Sequence, residues 1–422
     1  MKLLVRGVVV GVGVVALAGC WPVPGANSDR TNVTHDDVIN ESFGSLVERW
    51  RWTSPHGAIS APVTSAGGVH VVSRCFLDTL DPDDGDLRWE GNIEPGGCSP
   101  VSGRDDHVGE PWVVSSPQGD EVTAGYGWID ESTPGIVGAD WRGTHFDVTD
   151  GDVTGTSGDF TVAVRGETLV SSIVVDAGSG VPANRVRLDG REFLLHLDGA
   201  PTRSLTLGAD LLYHSGDGVL AIEPGPAAFG PGVRGYSRAE ARPDCGPAPA
   251  PTGVHLVECP VWATPTDGTP SVPVLSPDGS SVFVRTDAGT LYAIDAATGA
   301  VQWTAPGLSP GGRPALADGI LWVPSGSLVI AYVAAGCGEP TCSPWLTTFM
   351  GVPTDQPVTD VTVVDDIVFA TSDGQVFAAR NCIGPFCGIG WSAPGHGPIV
   401  VSNGRLYVTD GADTLIAYSV PS

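Results

Sequence analysis

Nine cysteines, nine histidines and a run of aspartates are the residues from which this 422-residue chain could build chemistry. Eight of the cysteines form an even set: Cys75, Cys98, Cys245, Cys259, Cys337, Cys342, Cys382 and Cys387. An even number of thiols suits disulfides in an oxidising compartment. Local pairing is the simplest arrangement: 75–98, 245–259, 337–342 and 382–387. The last two pairs share a C-x4-C spacing. Zinc is the competing use, but no C-x2-C pair stands with a matching His or Cys pair. Asp81, Asp83, Asp84 and Asp86 invite a calcium loop, yet Gly85 is out of register for one, and an acidic turn is the preferred reading. The histidines form neither H-x-H nor H-E-x-x-H, and neither a G-x-S-x-G elbow nor a phosphate-binding loop occurs. Spacing therefore assigns no catalytic, cofactor or metal residue.

The ninth cysteine, Cys20, has a different setting. Lys2 and Arg6 precede the charge-free apolar run Gly7 to Ala16, and Leu17-Ala18-Gly19-Cys20 follows. The run is too short to span a bilayer, which takes roughly 20 residues, and the small residues mark a secretory cleavage point. LAGC resembles the lipobox of bacterial lipoproteins. That resemblance implies cleavage before Cys20 and acylation of its sulfur, palmitate included. It places the protein on the extracytoplasmic side of a cell membrane. Residues 20–47, rich in Asn, Asp, Ser and Pro without apolar period, read as a flexible tether.

The net charge of −27 disfavours nucleic acid and anionic headgroups, so lipid rather than a basic patch is the expected membrane link. Lys2 is the one lysine. With 58 Gly and 36 Pro the chain is turn-rich without reaching disordered composition, and 41% apolar residues suffice for a core.

Acidic turns need strands to carry them, and the strands repeat. The stretch LYAIDAATGAVQW at 291–303 reads as a strand, a turn at Thr298-Gly299, and a second strand ending in tryptophan. Leu80 to Trp89 repeats this frame, with the same spacing from Asp81 to Trp89 as from Asp295 to Trp303. The strand half recurs at Val219–Glu223, Val329–Tyr332, Val376–Ala379 and Leu415–Tyr418, each with an alanine at the same place: Ala221, Ala331, Ala378 and Ala417. Four short antiparallel strands in units of about 40 residues predict a β-propeller. Trp52, Trp89, Trp141, Trp262, Trp303, Trp345 and Trp391 are the candidate blade-docking residues. The gap from Trp141 to Trp262 has room for a blade ending near Phe193 to Leu197 and another swollen by an insertion. This predicts eight blades, with seven as the alternative, over residues 48–422. The last unit lacks a closing strand and Glu48 to Trp52 supplies one, so the ring is expected to close through its N-terminal strand.

These motifs resemble the PQQ-like repeat of quinoprotein alcohol dehydrogenases, shared by a non-enzymatic outer-membrane assembly lipoprotein. The match is closest over 289–303 and good over 75–89. The resemblance implies an all-β propeller. In the enzymes it also implies pyrroloquinoline quinone with calcium, held by Glu, Asn and Asp and often accompanied by adjacent cysteines. No adjacent cysteine pair occurs here. The balance favours a monomeric, lipid-anchored scaffold meeting an unidentified envelope protein. A quinone-dependent dehydrogenase and a small-ligand or glycan binder are the alternatives.

Overall fold

The computed structural model describes residues 32–65, 68–73, 76–92, 112–115, 121–130, 138–147, 159–164, 167–175, 182–188, 191–195, 205–207, 211–218, 229–237, 260–309, 311–348, 355–372, 374–383 and 386–421. Over 92–230, 236–237, 347–348 and 381–389 only the backbone is considered. Cys20, the leader, and Cys75, Cys98, Cys245 and Cys259 lie outside the described residues, as does Val219–Glu223.

Among the described residues the strands form eight small antiparallel sheets in chain order, the organisation of a β-propeller. The first runs Val63–Ser65, Gly68–Ser73, Phe76–Leu80, Leu87–Asn92. The second has three strands, Trp112–Ser115, Glu121–Asp130 and Gly138–Asp147. The third ends on Arg191–Leu195, and the fourth carries residues 238–259 between Phe229–Ser237 and Trp262–Pro265. The fifth, Val274–Leu275, Ser281–Arg285, Leu291–Asp295 and Val301–Ala305, contains the clearest repeat. The sixth ends on Leu328–Val333 and Leu346–Thr348, the seventh on Gln375–Ile383 and Phe386–Pro394. The eighth joins His396–Ser402, Arg405–Thr409 and Thr414–Ser419 to Val47–Thr53, which pairs antiparallel with Thr414–Ser419.

Both faces of several inner strands are covered. Ser281–Arg285, Ile367–Ser372 and Thr414–Ser419 are buried at every position, which is why they read as continuous Val/Ile/Phe runs rather than as an alternation. The apolar clusters bridge neighbouring sheets: Trp262 with Ile294, Trp303 with Tyr332, Val329 with Val363. One cluster holds Val69 and Leu80 of the first sheet, Phe369 and Trp391 of the seventh, and Tyr407 and Ile416 of the eighth.

Residues 32–46, expected to be tether, are built into the protein. Val33–Thr34 adds a parallel strand to Asp360–Val364 of the seventh sheet, and the Asn32 side chain donates to the Val361 carbonyl. Asp37–Glu41 forms a short helix capped by Asp36. The Asp36 carboxylate accepts from the Ile39 amide at 3.0 Å and from the Gly404 amide of the eighth sheet at 2.7 Å. Ile39 is fully buried. The composition misleads here because a polar segment needs only two or three apolar anchors, Ile39, Phe43 and Leu46, when its backbone is paired by distant strands.

Candidate functional site

The recurring site is the joint between consecutive sheets. In five of the outer strands a tryptophan faces a small residue of the strand inside it. Trp303 is opposite Ala293, Trp391 opposite Ala378, Trp89 opposite Thr79, Trp262 opposite Gly235, and Trp50 opposite Ala417. A β-bulge precedes the tryptophan at 50, 89, 303 and 391. The extra residue increases local twist and re-aims the side chain that follows, here toward the next sheet.

The indole lands on the turn before the next sheet's outer strand. Trp262 Nε1 donates to the Ala296 carbonyl at 3.1 Å, Trp303 to Ala334 at 3.2 Å, and Trp50 to Pro82 at 3.0 Å. The ring lies against a glycine of that turn. At Gly299 an added Cβ would meet the Trp262 ring at 2.6 Å, and φ is +73°, so both space and backbone demand glycine. Gly85 beneath Trp50 and Gly336 beneath Trp303 repeat the arrangement. The turn's aspartate shapes this pad. Asp295 accepts from the Thr298 amide at 2.8 Å and hydroxyl at 2.7 Å, and those hydrogen bonds hold its carboxyl below the usual range. The acidic run after Leu80 is the pad beneath Trp50. Asp81 takes the Asp83 amide and Arg88, Asp83 pairs with Arg405, and Asp84 takes the Asp86 amide.

Two of the expected docking residues are corrected. Trp52 is opposite Leu415 and only partly buried, whereas Trp50 occupies the docking register. Trp345 is 60% exposed, and Leu346 takes its place opposite Ala331. Trp345 and Leu346 differ by one residue, and a one-residue step exchanges the two faces of a strand; Trp50 and Trp52 share a face, and the pairing with Ala417 selects Trp50. The strand facing Trp262 is Phe229–Ser237, with Gly235 in the role expected of Ala221. The side chain of Trp141 is not described; its backbone is opposite Gly127.

Cys337 and Cys342 are disulfide-bonded. Their loop continues the pad under Trp303 and adds backbone hydrogen bonds to the fifth sheet's outer strand: Thr304 amide to Pro340 carbonyl at 2.9 Å, Cys342 amide to Thr304 carbonyl at 2.8 Å. Cys382 and Cys387 stand at the matching turn of the seventh sheet, beyond the Ile383–Phe386 backbone pair.

The joint from seventh to eighth sheet is made differently. Trp391 Nε1 donates to the Leu46 carbonyl at 2.8 Å. Its pad is residues 43–46, which lead into Val47–Thr53, so the chain's N-terminal segment replaces the turn that the Trp50, Trp262 and Trp303 joints take from a hairpin. Arg380 fastens the pad, lying 5.1 Å above the Phe43 ring and donating to Asn40.

One cluster belongs to no joint. His56 Nε2 is 2.9 Å from Glu90 Oε2. Ligand atoms of His56, Asp78 and Glu90 all lie within 4.8 Å of one another, the one such group among the described residues. The His56 ring stacks on Phe76, centroids 3.8 Å apart. Asp78 is 0% exposed. Ser73 Oγ donates to its Oδ2 at 2.7 Å while Oδ1 has no hydrogen-bond partner. Burial pushes its carboxyl up to about 6 against the pull of the Ser73 hydrogen bond.

Comparison with known proteins bears on the joints. Residues 259–381 match the family described as outer membrane protein assembly factor BamB. The matched segment contains the Trp262 and Trp303 joints and the pads on which they rest. The chain carries the PQQ-like repeat. Among solved structures, the quinohemoprotein alcohol dehydrogenase ADHIIG from Pseudomonas putida HK5 is similar over 95% of this chain and 80% of its own, at 13% identity and a TM-score of 0.57. The computationally designed Ika8 protein is similar over 88% of this chain and 99% of its own, at 13% identity and a TM-score of 0.54. These likenesses concern the fold. No curated protein matches the sequence.

Aligned on the PQQ-like repeat, the three-residue cluster is an anomaly. Asp78 occupies the position held by Tyr292, Ile330, Phe377 and Ile416, one residue before the small docking partner. Glu90 is directly opposite it. The fourth sheet has Arg234 at this position, and the sheets from the fifth to the eighth have large apolar or aromatic residues; a carboxylate in that column is the signal that could have exposed this group in the sequence.

Proposed function

We propose that this PQQ-like repeat protein is an extracytoplasmic lipoprotein, anchored through Cys20, whose eight-bladed propeller is closed by the Val47–Thr53 strand. It serves as a protein-interaction scaffold in envelope assembly. The observation that carries the reading is the match of residues 259–381 to an outer membrane assembly factor, over the segment that best preserves the docking joints. The apolar cluster spanning seventh, eighth and first sheets supports ring closure. In this reading the disulfide loop at 337–342 and the three-ligand cluster are elaborations of the rim, and the partner is an envelope protein.

The latch at 32–46 changes the geometry of anchoring. With Asn32 fixed on the seventh sheet, the leash from Cys20 is the stretch up to residue 32 instead of the stretch up to 47. A fully extended chain spans at most about 3.3–3.6 Å per residue, so the leash reaches about 40 Å. The propeller is thereby held close to its membrane, where envelope proteins are within reach.

The test is fractionation and crosslinking of the full-length protein in bacterial cells. Wild type should partition with membranes and incorporate a fatty-acid label, and Cys20→Ser should do neither. In-cell crosslinking of wild type should capture envelope proteins, and shaving the disulfide loop or rim acids should reduce the yield. Wild type without fatty-acid label would remove the anchor. An anchored wild type that yields no crosslinked protein, but reduces dye in the presence of quinone, calcium and an alcohol, would replace the scaffold with a dehydrogenase.

A further inference from the structure

The geometry points to a divalent transition-metal site formed by His56, Asp78 and Glu90, with Zn²⁺ as the fitting ion, which staples the closing strand to the first sheet. Three features carry this beyond a chance gathering of polar groups.

The first is the orphaned oxygen. Asp78 is wholly buried, it contributes a carboxylate oxygen to the cluster, and its Oδ1 has no hydrogen bond. A buried carboxylate oxygen without a partner is costly. Ile330, Phe377 and Ile416 fill the same repeat position in three other sheets and Arg234 fills it in the fourth, so the packing of the sheets does not call for an acid there. A cation accepts that lone pair.

The second is orientation. Ser73 fixes Asp78 through Oδ2 at 2.7 Å and leaves Oδ1 for the ion. Phe76 stacks flat on the imidazole, with an interplanar angle of 15°, and holds the His56 ring edge toward Glu90. Supports of this kind around the ligands fix the direction in which each ligand points.

The third is the donor set. One imidazole nitrogen and two carboxylates make a nitrogen–oxygen set for a borderline ion such as Zn²⁺. Mg²⁺ and Ca²⁺ prefer oxygen alone. Three protein ligands leave a fourth position for water. Ligands about 2.0–2.2 Å from one tetrahedral ion lie about 3.3–3.6 Å apart, so His56 Nε2 and Glu90 Oε2, now 2.9 Å apart, open by about half an ångström, and any pair near the 4.8 Å limit closes by about one ångström.

The elements that contribute the ligands say what the ion does. His56 sits in the connection just after Val47–Thr53, the strand that belongs to the eighth sheet. Asp78 and Glu90 belong to the third and fourth strands of the first sheet. The connection already touches the first sheet, where the Ser60 amide donates to the Val72 carbonyl at 2.8 Å. A metal ion adds a bond across the same gap, between the last sheet and the first. The role is structural, and it goes beyond the scaffold reading without depending on the partner.

The experiment uses the mature, oxidised protein, stripped with EDTA, dialysed and titrated with zinc sulfate at pH 7.5 in a calorimeter. One equivalent should bind with micromolar or tighter affinity, and the urea midpoint should rise with zinc. His56→Gln, Asp78→Asn and Glu90→Gln should each weaken binding at least tenfold and erase the zinc-dependent rise. His35→Gln, which removes a histidine paired with Asp365 elsewhere on the surface, should leave both unchanged. Calcium in place of zinc should give no comparable heat. Wild type that binds no zinc overturns the site. So does zinc binding that survives all three ligand variants, because the ion then sits elsewhere. His56→Gln and Glu90→Gln alter partly exposed groups, so the test does not depend on Asp78→Asn folding.

Discussion

Replacing Asp36 by alanine tests whether residues 32–46 are part of the propeller or a leash. The carboxylate holds two things at once. Oδ1 caps the Asp37–Glu41 helix through the Ile39 amide, and Oδ2 takes the Gly404 amide at 2.7 Å in the turn between the first two strands of the eighth sheet. Loss of an N-cap costs about 0.5–2 kcal/mol. Loss of a charge-assisted hydrogen bond to a buried amide costs about 1.5–3 kcal/mol. The Gly404 amide cannot find water easily, since Asp36 is itself buried. The helix has only five residues and does not persist alone, so both losses act on one cooperative unit and should total about 2–5 kcal/mol. At a urea slope of about 2–3 kcal/mol per molar, the midpoint should fall by about 1–2 M. A second readout is local: limited proteolysis should cut Asp36→Ala between 32 and 46 faster than wild type, before the core is cleaved. Asp36→Asn should fall between the two, keeping one acceptor without the charge. An unchanged midpoint and unchanged cleavage for Asp36→Ala would mean the segment is not latched, and the docking of Trp391 on Leu46 would have to be abandoned with it.

Three further outcomes are expected. Leu346→Ala should cost about 2–5 kcal/mol by urea denaturation, whereas Trp345→Ala, at 60% exposure, should cost less than about 1 kcal/mol; the reverse order would restore Trp345 as the docking residue. In metal-free protein Asp78→Asn should stabilise at neutral pH by about 1–3 kcal/mol. The sign follows from its raised carboxyl: between pH about 4 and 6 the folded state keeps a proton that the unfolded state releases, so wild type loses stability as pH rises through that window. The advantage of Asn should be absent near pH 4 and complete above about pH 6, and a pH-independent difference would show that burial of the charge is not its cause. Removing the 337–342 disulfide with paired serines should cost roughly 2 kcal/mol or less, because the closed loop is short. It should also speed hydrogen exchange at Thr304, whose amide the loop accepts.

The parts of this protein that were legible in its sequence are those whose causes are local. The pad turn at Asp295 to Gly299 announces itself because the aspartate caps its own turn and the glycine takes a positive φ beneath an indole. Sheet order and the all-β class follow from such turns. The choice between Trp50 and Trp52, or between Trp345 and Leu346, was not legible, because the register against the neighbouring strand decides which side chain stands opposite the small residue. The latch was hidden for another reason. Asn32, Asp36 and Leu46 find partners at Val361, Gly404 and Trp391, and nothing in the local pattern carries contacts of that span. The three-ligand cluster fails the motif rules because His56, Asp78 and Glu90 lie on a loop and two strands with no fixed spacing. Only the column of repeat-equivalent residues betrays Asp78.

The eighth sheet has a consequence for how this chain comes into being. Thr53 and Thr414 share a hydrogen bond at 3.0 Å although 361 positions separate them. A polypeptide synthesised from its N-terminus presents Val47–Thr53 early, and its pairing strand Thr414–Ser419 arrives late. Until then the strand has no neighbour, and long-range pairing of this kind is slow and open to aggregation. Its own residues answer that exposure. Glu48, Arg49 and Arg51 alternate around Trp50 and Trp52, and charges so placed act as gatekeepers on an apolar strand that has to wait.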